Sequence, residues 1–132
     1  MSAYYLDASV ALRALLGHSP TAAQWLDETS ASETNTFISS RILRTELTRV
    51  LRREGLEVAR RDQILDYIAC VPVTAGILAE AEAITPRVKT LDAIHLASAI
   101  ASGLDPVLVT HDDRMKATAG ILGLSFHDPV AG

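Results

Sequence analysis

A chain of 132 residues with 48% apolar and only 5% aromatic side chains is long enough for one domain whose core needs neither disulfides nor a structural metal. Its formal charge of −4 argues against a generally basic nucleic-acid binder, and its single cysteine, Cys70, excludes an internal disulfide or a thiolate zinc site. No apolar run reaches the roughly eighteen residues of a membrane span, and the start lacks the pattern of a signal peptide. The expectation is one soluble, cytoplasmic domain over residues 1–132 that does not engage a membrane, with Cys70 in its core.

Ala3-Tyr4-Tyr5-Leu6 is a short apolar and aromatic run ending at Asp7, and Asp7-Ala8-Ser9 opens the helical pattern Val10, Leu12, Leu15, Leu16. This spells strand, tight turn and helix, with Ser9 as the expected N-cap and Gly17 as the stop. Asp7 then stands at the carboxyl end of the first strand, where open α/β sheets place their ligands. A second helix starts after Ser19-Pro20, carries Ala23, Trp25 and Leu26, and closes in the polar stretch from Thr29 to Asn35. Trp25 reads as a packing residue. Thr36-Phe37-Ile38-Ser39 is a second strand.

The next helix, from about Arg41 to Glu54 with Gly55 as its end, begins the basic part of the chain. Residues 41–61 hold Arg41, Arg44, Arg49, Arg52, Arg53, Arg60 and Arg61 against Glu46, Glu54 and Glu57, so seven minus three leaves a local +4. Such a patch can hold a polyanion, although a solvated face with intrahelical Glu/Arg pairs has the same composition. Glu46 is the exception on this helix, because it projects inside the apolar arc of Ile42, Leu43, Leu47, Val50 and Leu51. It is either the ion-pair partner of Arg49 or Arg53, or an acid turned toward a site.

Leu56 to Ile68 is expected as another helix, Cys70-Val71-Pro72-Val73 as an edge strand, and Ala75 to Ile84 as a helix ending before Pro86. The helix from Leu91 to Ser102, stopped by Gly103, carries Asp92, His95, Ser98 and Ser102 on one narrow stripe and apolar residues elsewhere, which makes it a core helix. Asp92 at its head is a costly charge unless something neutralises it. Thr90 or Asp92 as a helix cap, with the helix dipole, is the simple answer. Pro106-Val107-Leu108-Val109-Thr110 is an unbroken apolar strand of the buried parallel kind and ends at His111-Asp112-Asp113. A last helix carries Met115, Ala119, Ile121 and Leu122, and Leu124-Ser125-Phe126 returns as a final strand.

Strands that alternate with helices predict an α/β fold, a three-layer α/β/α arrangement around a mainly parallel sheet. In that architecture Asp7 and Asp112 sit past strand ends, Asp92 heads the helix before the second of those strands, and Glu46 is a natural fourth. Four acids brought together without a cation raise one another's pKa values, so convergence implies a divalent metal. Oxygen ligands alone select Mg²⁺ or Mn²⁺, and such a site suits hydrolysis of a phosphodiester by a metal-activated water. Ser9 and Thr110 either orient these carboxylates or act as caps. His18, His95, His111 and His127 show no metal-ligand spacing; His95 reads as a hydrogen-bonded structural residue, and His111 as one that could face a substrate.

Tyr5-Leu6-Asp7-Ala8-Ser9, Glu46, Leu91-Asp92-Ala93-Ile94-His95 and Thr110-His111-Asp112 resemble the acidic motifs of the PIN-domain nucleases, and the Leu-Asp-Ala-Ile-His-Leu-Ala wording is similar to the VapC toxins of bacterial toxin–antitoxin pairs. The likeness runs from residue 4 to about residue 127, and its weight lies in the order and spacing of four weak motifs. It implies a PIN-like fold, Mg²⁺-dependent cleavage of structured RNA, a homodimer, and a VapB-like antitoxin whose C-terminal tail covers the active groove. It also implies that Asp7 and Asp92 ligate metal most directly, with Glu46 and Asp112 acting partly through water. Asp113 is then a helper or merely the first-turn acid of the last helix, and Arg44, Arg49 and Arg53 would contact RNA or antitoxin. A response-regulator receiver would need paired acids after the first strand, and a haloacid-dehalogenase phosphatase would need Asp-x-Asp there, where this chain has Asp-x-Ser. A weakly active PIN-like binding module and a DNA-directed nuclease of the same fold are the remaining alternatives.

Overall fold

In the computed structural model, which describes residues 2–131, the strands are β1 (Ser2–Leu6), β2 (Asn35–Ser40), β3 (Ile68–Val71), β4 (Val107–Val109) and β5 (Phe126–His127). All pair in parallel, in the order β3-β2-β1-β4-β5. The chain steps outward from β1 to β3 on one side, then returns to build β4 and β5 on the other. The strand order therefore reverses at the carboxyl ends of β1 and β4, which is the place where doubly wound sheets open a crevice.

The helices are α1 (Ala8–Leu15), α2 (Pro20–Ser30), α3 (Ile42–Arg53), the single-turn α4 (Asp62–Leu65), α5 (Ala75–Glu82), α6 (Thr90–Ala101) and α7 (Asp113–Ile121). Successive strand residues face opposite ways, so Leu6 and Val109 pack on Val10, Leu43, Leu47 and Leu51, while Tyr5 and Leu108 pack on Leu96, Ala99, Met115 and Ala119. This is the expected three-layer α/β/α arrangement.

Three local expectations need correction. No helix spans Leu56 to Ile68: a 3-10 turn (Val58–Arg61) leads into the short α4, and Ile68 already pairs with Phe37 as the first residue of β3. Sheet pairing overrides the helical pattern there. Cys70 is exposed rather than in the core, because β3 is the sheet's edge. The N-cap of α1 is Asp7, not Ser9. The polar stripe of α6 lies inside the core, as expected of a core helix, with His95 and Ser98 buried while Leu91 and Ile100 are exposed. Ser98 is satisfied by its hydroxyl donating to the Ile94 carbonyl, one turn back. No helix among the described residues is long and apolar enough to cross a membrane.

Candidate metal and phosphodiester site at the sheet edge

Asp7 is 3% exposed and sits where β1 turns into α1. Its Oδ1 accepts the Ser9 backbone N–H at 2.7 Å and the Ser9 hydroxyl at 2.5 Å, while its Oδ2 accepts the Thr110 hydroxyl at 2.5 Å. Burial pushes its carboxyl above the ordinary range, and the bonds from Ser9 and Thr110 oppose that shift. Both hydroxyls also accept from the loop after β4: Ser9 Oγ from the His111 N–H at 3.0 Å and Thr110 Oγ1 from the Asp112 N–H at 3.1 Å. Ser9 and Thr110 thus orient a carboxylate and lock the two central strand ends together.

Asp112 is the N-cap of α7, and its Oδ1 accepts the N–H groups of Arg114 at 2.8 Å and Met115 at 3.0 Å. Its Oδ2 carries neither bond. Asp92 lies half-buried in the first turn of α6, where Lys89 is the N-cap residue and no side chain caps the helix. Neither Thr90 nor Asp92 is a cap. Burial raises the Asp92 carboxyl first, and the charges of Asp112, Asp7 and Glu46 raise it further, against an opposing pull from His95. The four acids therefore share one electrostatic neighbourhood.

Glu46 does not pair with Arg49 or Arg53. Its Oε1 accepts from His95 Nε2 at 2.6 Å, and its side chain keeps 18% exposure. Arg44, Arg49 and Arg53 are exposed on α3, and Arg53 meets Glu54 at 3.5 Å. Arg49 and Arg53 share a helix face, but Arg44 lies roughly 140° around the helix from Arg49. Asp113 is 97% exposed and stands 3.6 Å from Lys116.

A cavity of about 570 Å³ opens over this edge, lined by Ser9, Asp92, His111, Asp112 and Asp113 together with the cations Arg13, Lys89 and Arg114. A second hollow, about 200 Å³, lies between α1, α2 and β2 and is mainly apolar. Of Asp7, Glu46, Asp92 and Asp112, none lines it.

The donor set fits a hard divalent cation. The four candidate ligands, Asp7, Glu46, Asp92 and Asp112, are all carboxylates, and charge repulsion at Asp92 favours an added positive charge. Protein hydrogen bonds occupy three of Asp7's roughly four acceptor positions and leave one on Oδ2. The chain does not preassemble the whole cluster, since among the described residues no three Asp, Glu, His or Cys side chains stand close enough to hold an ion by themselves. Water or substrate oxygens would complete such a site.

Sequence reasoning missed the cations of the rim and a clamp beside it. Asp128, only 8% exposed, accepts from Lys116 Nζ at 2.6 Å, His111 Nδ1 at 2.9 Å and the N–H groups of Val130 at 2.9 Å and Ala131 at 3.2 Å. The available signal was position, because Asp128 follows β5 as Asp7 follows β1. Burial alone would raise its carboxyl, but Lys116, His111 and the two backbone donors outweigh burial and hold it well below the usual range. A depressed carboxyl contributes stability that is present above the unfolded-state pKa and is lost as pH falls through the folded value. Asp128→Ala is therefore expected to cost about 2–3 kcal/mol at neutral pH, with the deficit in urea unfolding shrinking in strong acid. An equal deficit at both pH values would show that packing, not charge, is what Asp128 supplies.

A family model described as PIN domain matches residues 4–121. Among similar proteins, Ribonuclease VapC46 of Mycobacterium tuberculosis (strain ATCC 25618 / H37Rv) is 38% identical over 96 residues, covering 70% of this chain and 73% of that one. Ribonuclease VapC35 of Mycobacterium tuberculosis (strain CDC 1551 / Oshkosh) is 34% identical over 134 residues, covering 95% and 96%. A crystal structure of VapBC2 from Rickettsia felis, bound to a DNA fragment from their promoter, superposes with a TM-score of 0.75 over 96% of this chain and 98% of that chain, at 18% identity.

Proposed function

The chain belongs to the PIN-domain family, among its VapC-like members, and on that premise we propose that it is a Mg²⁺-dependent endoribonuclease, the toxin of a VapBC-type pair, able to use Mn²⁺ in place of Mg²⁺. The observation that carries this is the buried Asp7, braced by Ser9 and Thr110 under a cavity rimmed by Asp92 and Asp112 at the point where the strand order reverses. Asp7, Asp92, Asp112 and Glu46 would hold the ion. When bound, it supplies positive charge that neutralises a phosphate and acidifies a water.

The chain's own residues supply the rest. Ser9 and Thr110 fix the Asp7 carboxylate, so that little reorganisation is needed when charge develops on the phosphate. The Asp112 cap bonds hold one of its oxygens and orient the other. Arg13, Lys89 and Arg114 offer positive charge around the acids, where the phosphates flanking a scissile bond would lie. Arg13 is the best anchored of the three, through Nη1 donating to the Ser9 carbonyl at 3.0 Å. Phosphate contacts position a strand without reading its bases, so selectivity would come from how exposed and unpaired the target is, and a structured RNA cut at an accessible loop is the proposed substrate. A VapB-like antitoxin belongs to the same proposal, supported by the likeness to VapC relatives and to a VapBC complex, and a homodimer and a cytoplasmic location are proposed with it. Arg44, Arg49 and Arg53 are proposed to contact RNA or an acidic segment of the antitoxin.

The deciding experiment incubates purified protein, free of antitoxin, with total cellular RNA and Mg²⁺ and maps new ends by sequencing, with Asp7→Asn as control. Discrete ends absent from the control are expected. No new ends in Mg²⁺ or Mn²⁺ would leave a binding module, and cutting confined to DNA would leave a DNA-directed nuclease.

The rim cations make a further prediction. In an Asp92→Asn background, replacing Arg13, Lys89 and Arg114 by Gln is expected to lower the slope of log affinity for single-stranded RNA against log salt by about 0.7 per lost phosphate contact, or about 2 for all three. The same measurement on Arg49→Glu and Arg53→Glu separates the roles of α3. An unchanged slope there, with weakened antitoxin binding, would assign those arginines to the protein partner.

A further inference from the structure

A chain of two hydrogen bonds runs from the sheet's core to the acidic edge. The Tyr5 hydroxyl meets His95 Nδ1 at 2.8 Å, and His95 Nε2 meets Glu46 Oε1 at 2.6 Å. Tyr5 is 0% and His95 1% exposed, so neither can borrow a partner from bulk water, and the direction of each bond is fixed by what the groups can donate. A carboxylate can only accept, so His95 Nε2 carries the proton it donates to Glu46, and the bare Nδ1 of the neutral ring accepts the Tyr5 hydroxyl proton.

The position of His95 in the sequence explains why one residue can do this. It lies one turn after Asp92, on the buried stripe of α6, and Glu46 lies on α3, a different helix. The imidazole and the carboxylate form a hydrogen bond between the two helices that carry separate acids of the site. The ring also meets Tyr5 edge-on, with centroids 5.7 Å apart and planes at 78°, which restricts its rotation. A Glu side chain on an amphipathic helix has several rotamers available, and only an external donor selects one of them.

We propose that His95, held by Tyr5 as the Nε2–H tautomer, is a positioning residue that fixes Glu46 at the acidic edge. It touches neither metal nor substrate, and no step requires it to change protonation. The kinetic half of this proposal rests on the nuclease reading above; the tautomer and the contact do not.

The first test is therefore nitrogen-15 NMR of the imidazole in wild-type protein without metal, with nucleotide absent. The expected result is a protonated Nε2, an unprotonated Nδ1, and a slowly exchanging Nε2 proton with a cross-peak to Glu46. A protonated Nδ1 overturns the proposal whatever the protein cleaves. The second test is kinetic. His95→Leu is expected to lower kcat for RNA by about 10- to 100-fold, the range found for partners that orient a ligand, with KM for RNA unchanged. His95→Gln, whose amide can reach Glu46 from a similar place, should recover most of the loss. In a Glu46→Gln background, His95→Leu should cost nothing further in kcat. If His95→Leu does not fold, Tyr5→Phe keeps the ring in the core and removes only the phenol, and it should lower kcat in the same direction. Folded variants that all retain wild-type kcat would reduce His95 to a core residue and overturn the proposal. Failure of wild-type protein to cut any RNA would instead defeat the nuclease reading and leave the NMR result standing.

Discussion

Asp92→Asn and Asp7→Asn are each expected to lower the rate of RNA cleavage by more than about 100-fold, because partners that merely orient metal ligands already contribute 10- to 100-fold and these two acids are proposed as the ligands themselves. The same substitutions should make the metal-free protein more stable. Asn is as good an N-cap as Asp, so Asp7→Asn keeps the bond from the Ser9 N–H, and its amide can donate to the Thr110 hydroxyl that Asp7 now accepts from. What it removes is a charge held 3% exposed. The pH dependence follows from the raised carboxyls of Asp7 and Asp92. A group whose folded pKa lies above its unfolded value contributes stability that is fully present below the unfolded value, near 3.9 for Asp, and is lost as pH rises through the folded one. The gain from Asn is thus largest at neutral pH and closes in mild acid. Melting curves with EDTA at several pH values measure this, and an Asn variant less stable than wild type at neutral pH would mean that the charge is already compensated within the protein.

The pattern of strand and helix was legible because this fold writes its elements into local sequence. Tyr4-Tyr5-Leu6-Asp7 and Val107-Leu108-Val109-Thr110 are apolar runs that end in polar groups, and both proved to be central strands with an acid or hydroxyl at the carboxyl end. Asp7, Asp92 and Asp112 could be placed near one another from topology alone. What sequence could not give were facts that depend on two elements at once. The partner of Glu46 is His95, 49 residues away on another helix, whereas local spacing offered only Arg49 and Arg53. The stripe of α6 was legible as part of a core helix, but the partners of its polar groups were not, since an amphipathic pattern does not say which buried groups they meet. Leu56 to Ile68 has helical spacing, yet β2 has an open edge that Ile68 to Val71 fill, and pairing along a whole strand outweighs the propensity of one turn. The basic residues that line the cavity with Asp92 and Asp112, namely Arg13, Lys89 and Arg114, come from three separate parts of the chain, so counting charge along the chain pointed to α3 instead.

Adding Mg²⁺ or Mn²⁺ to the metal-free protein is expected to raise its melting temperature by about 10 °C when the ion is present at about 100 times its dissociation constant. A ligand that binds only the native state at that concentration adds about 2.7 kcal/mol. An unfolding entropy of about 2.1 cal/mol/K per residue, over 132 residues, converts this into the shift stated. The gain has a physical source in the repulsion that Asp112, Asp7 and Glu46 impose on Asp92, which a bound cation would relieve. It should therefore be smaller in Asp92→Asn, which has less repulsion to relieve and one ligand fewer, and nearly unchanged in Arg49→Glu, whose side chain lies outside the acidic cavity. Because no three candidate ligands are preassembled among the described residues, the ion would also have to draw the carboxylates inward, so the observed shift in dilute metal depends on that rearrangement as well as on the final contacts. Identical melting temperatures in EDTA, Mg²⁺ and Mn²⁺ at saturating concentrations would remove the metal site and leave the acids as a charge cluster held together by Ser9, Thr110 and His95. Equal shifts in wild type and Asp92→Asn would place the ion elsewhere on the protein.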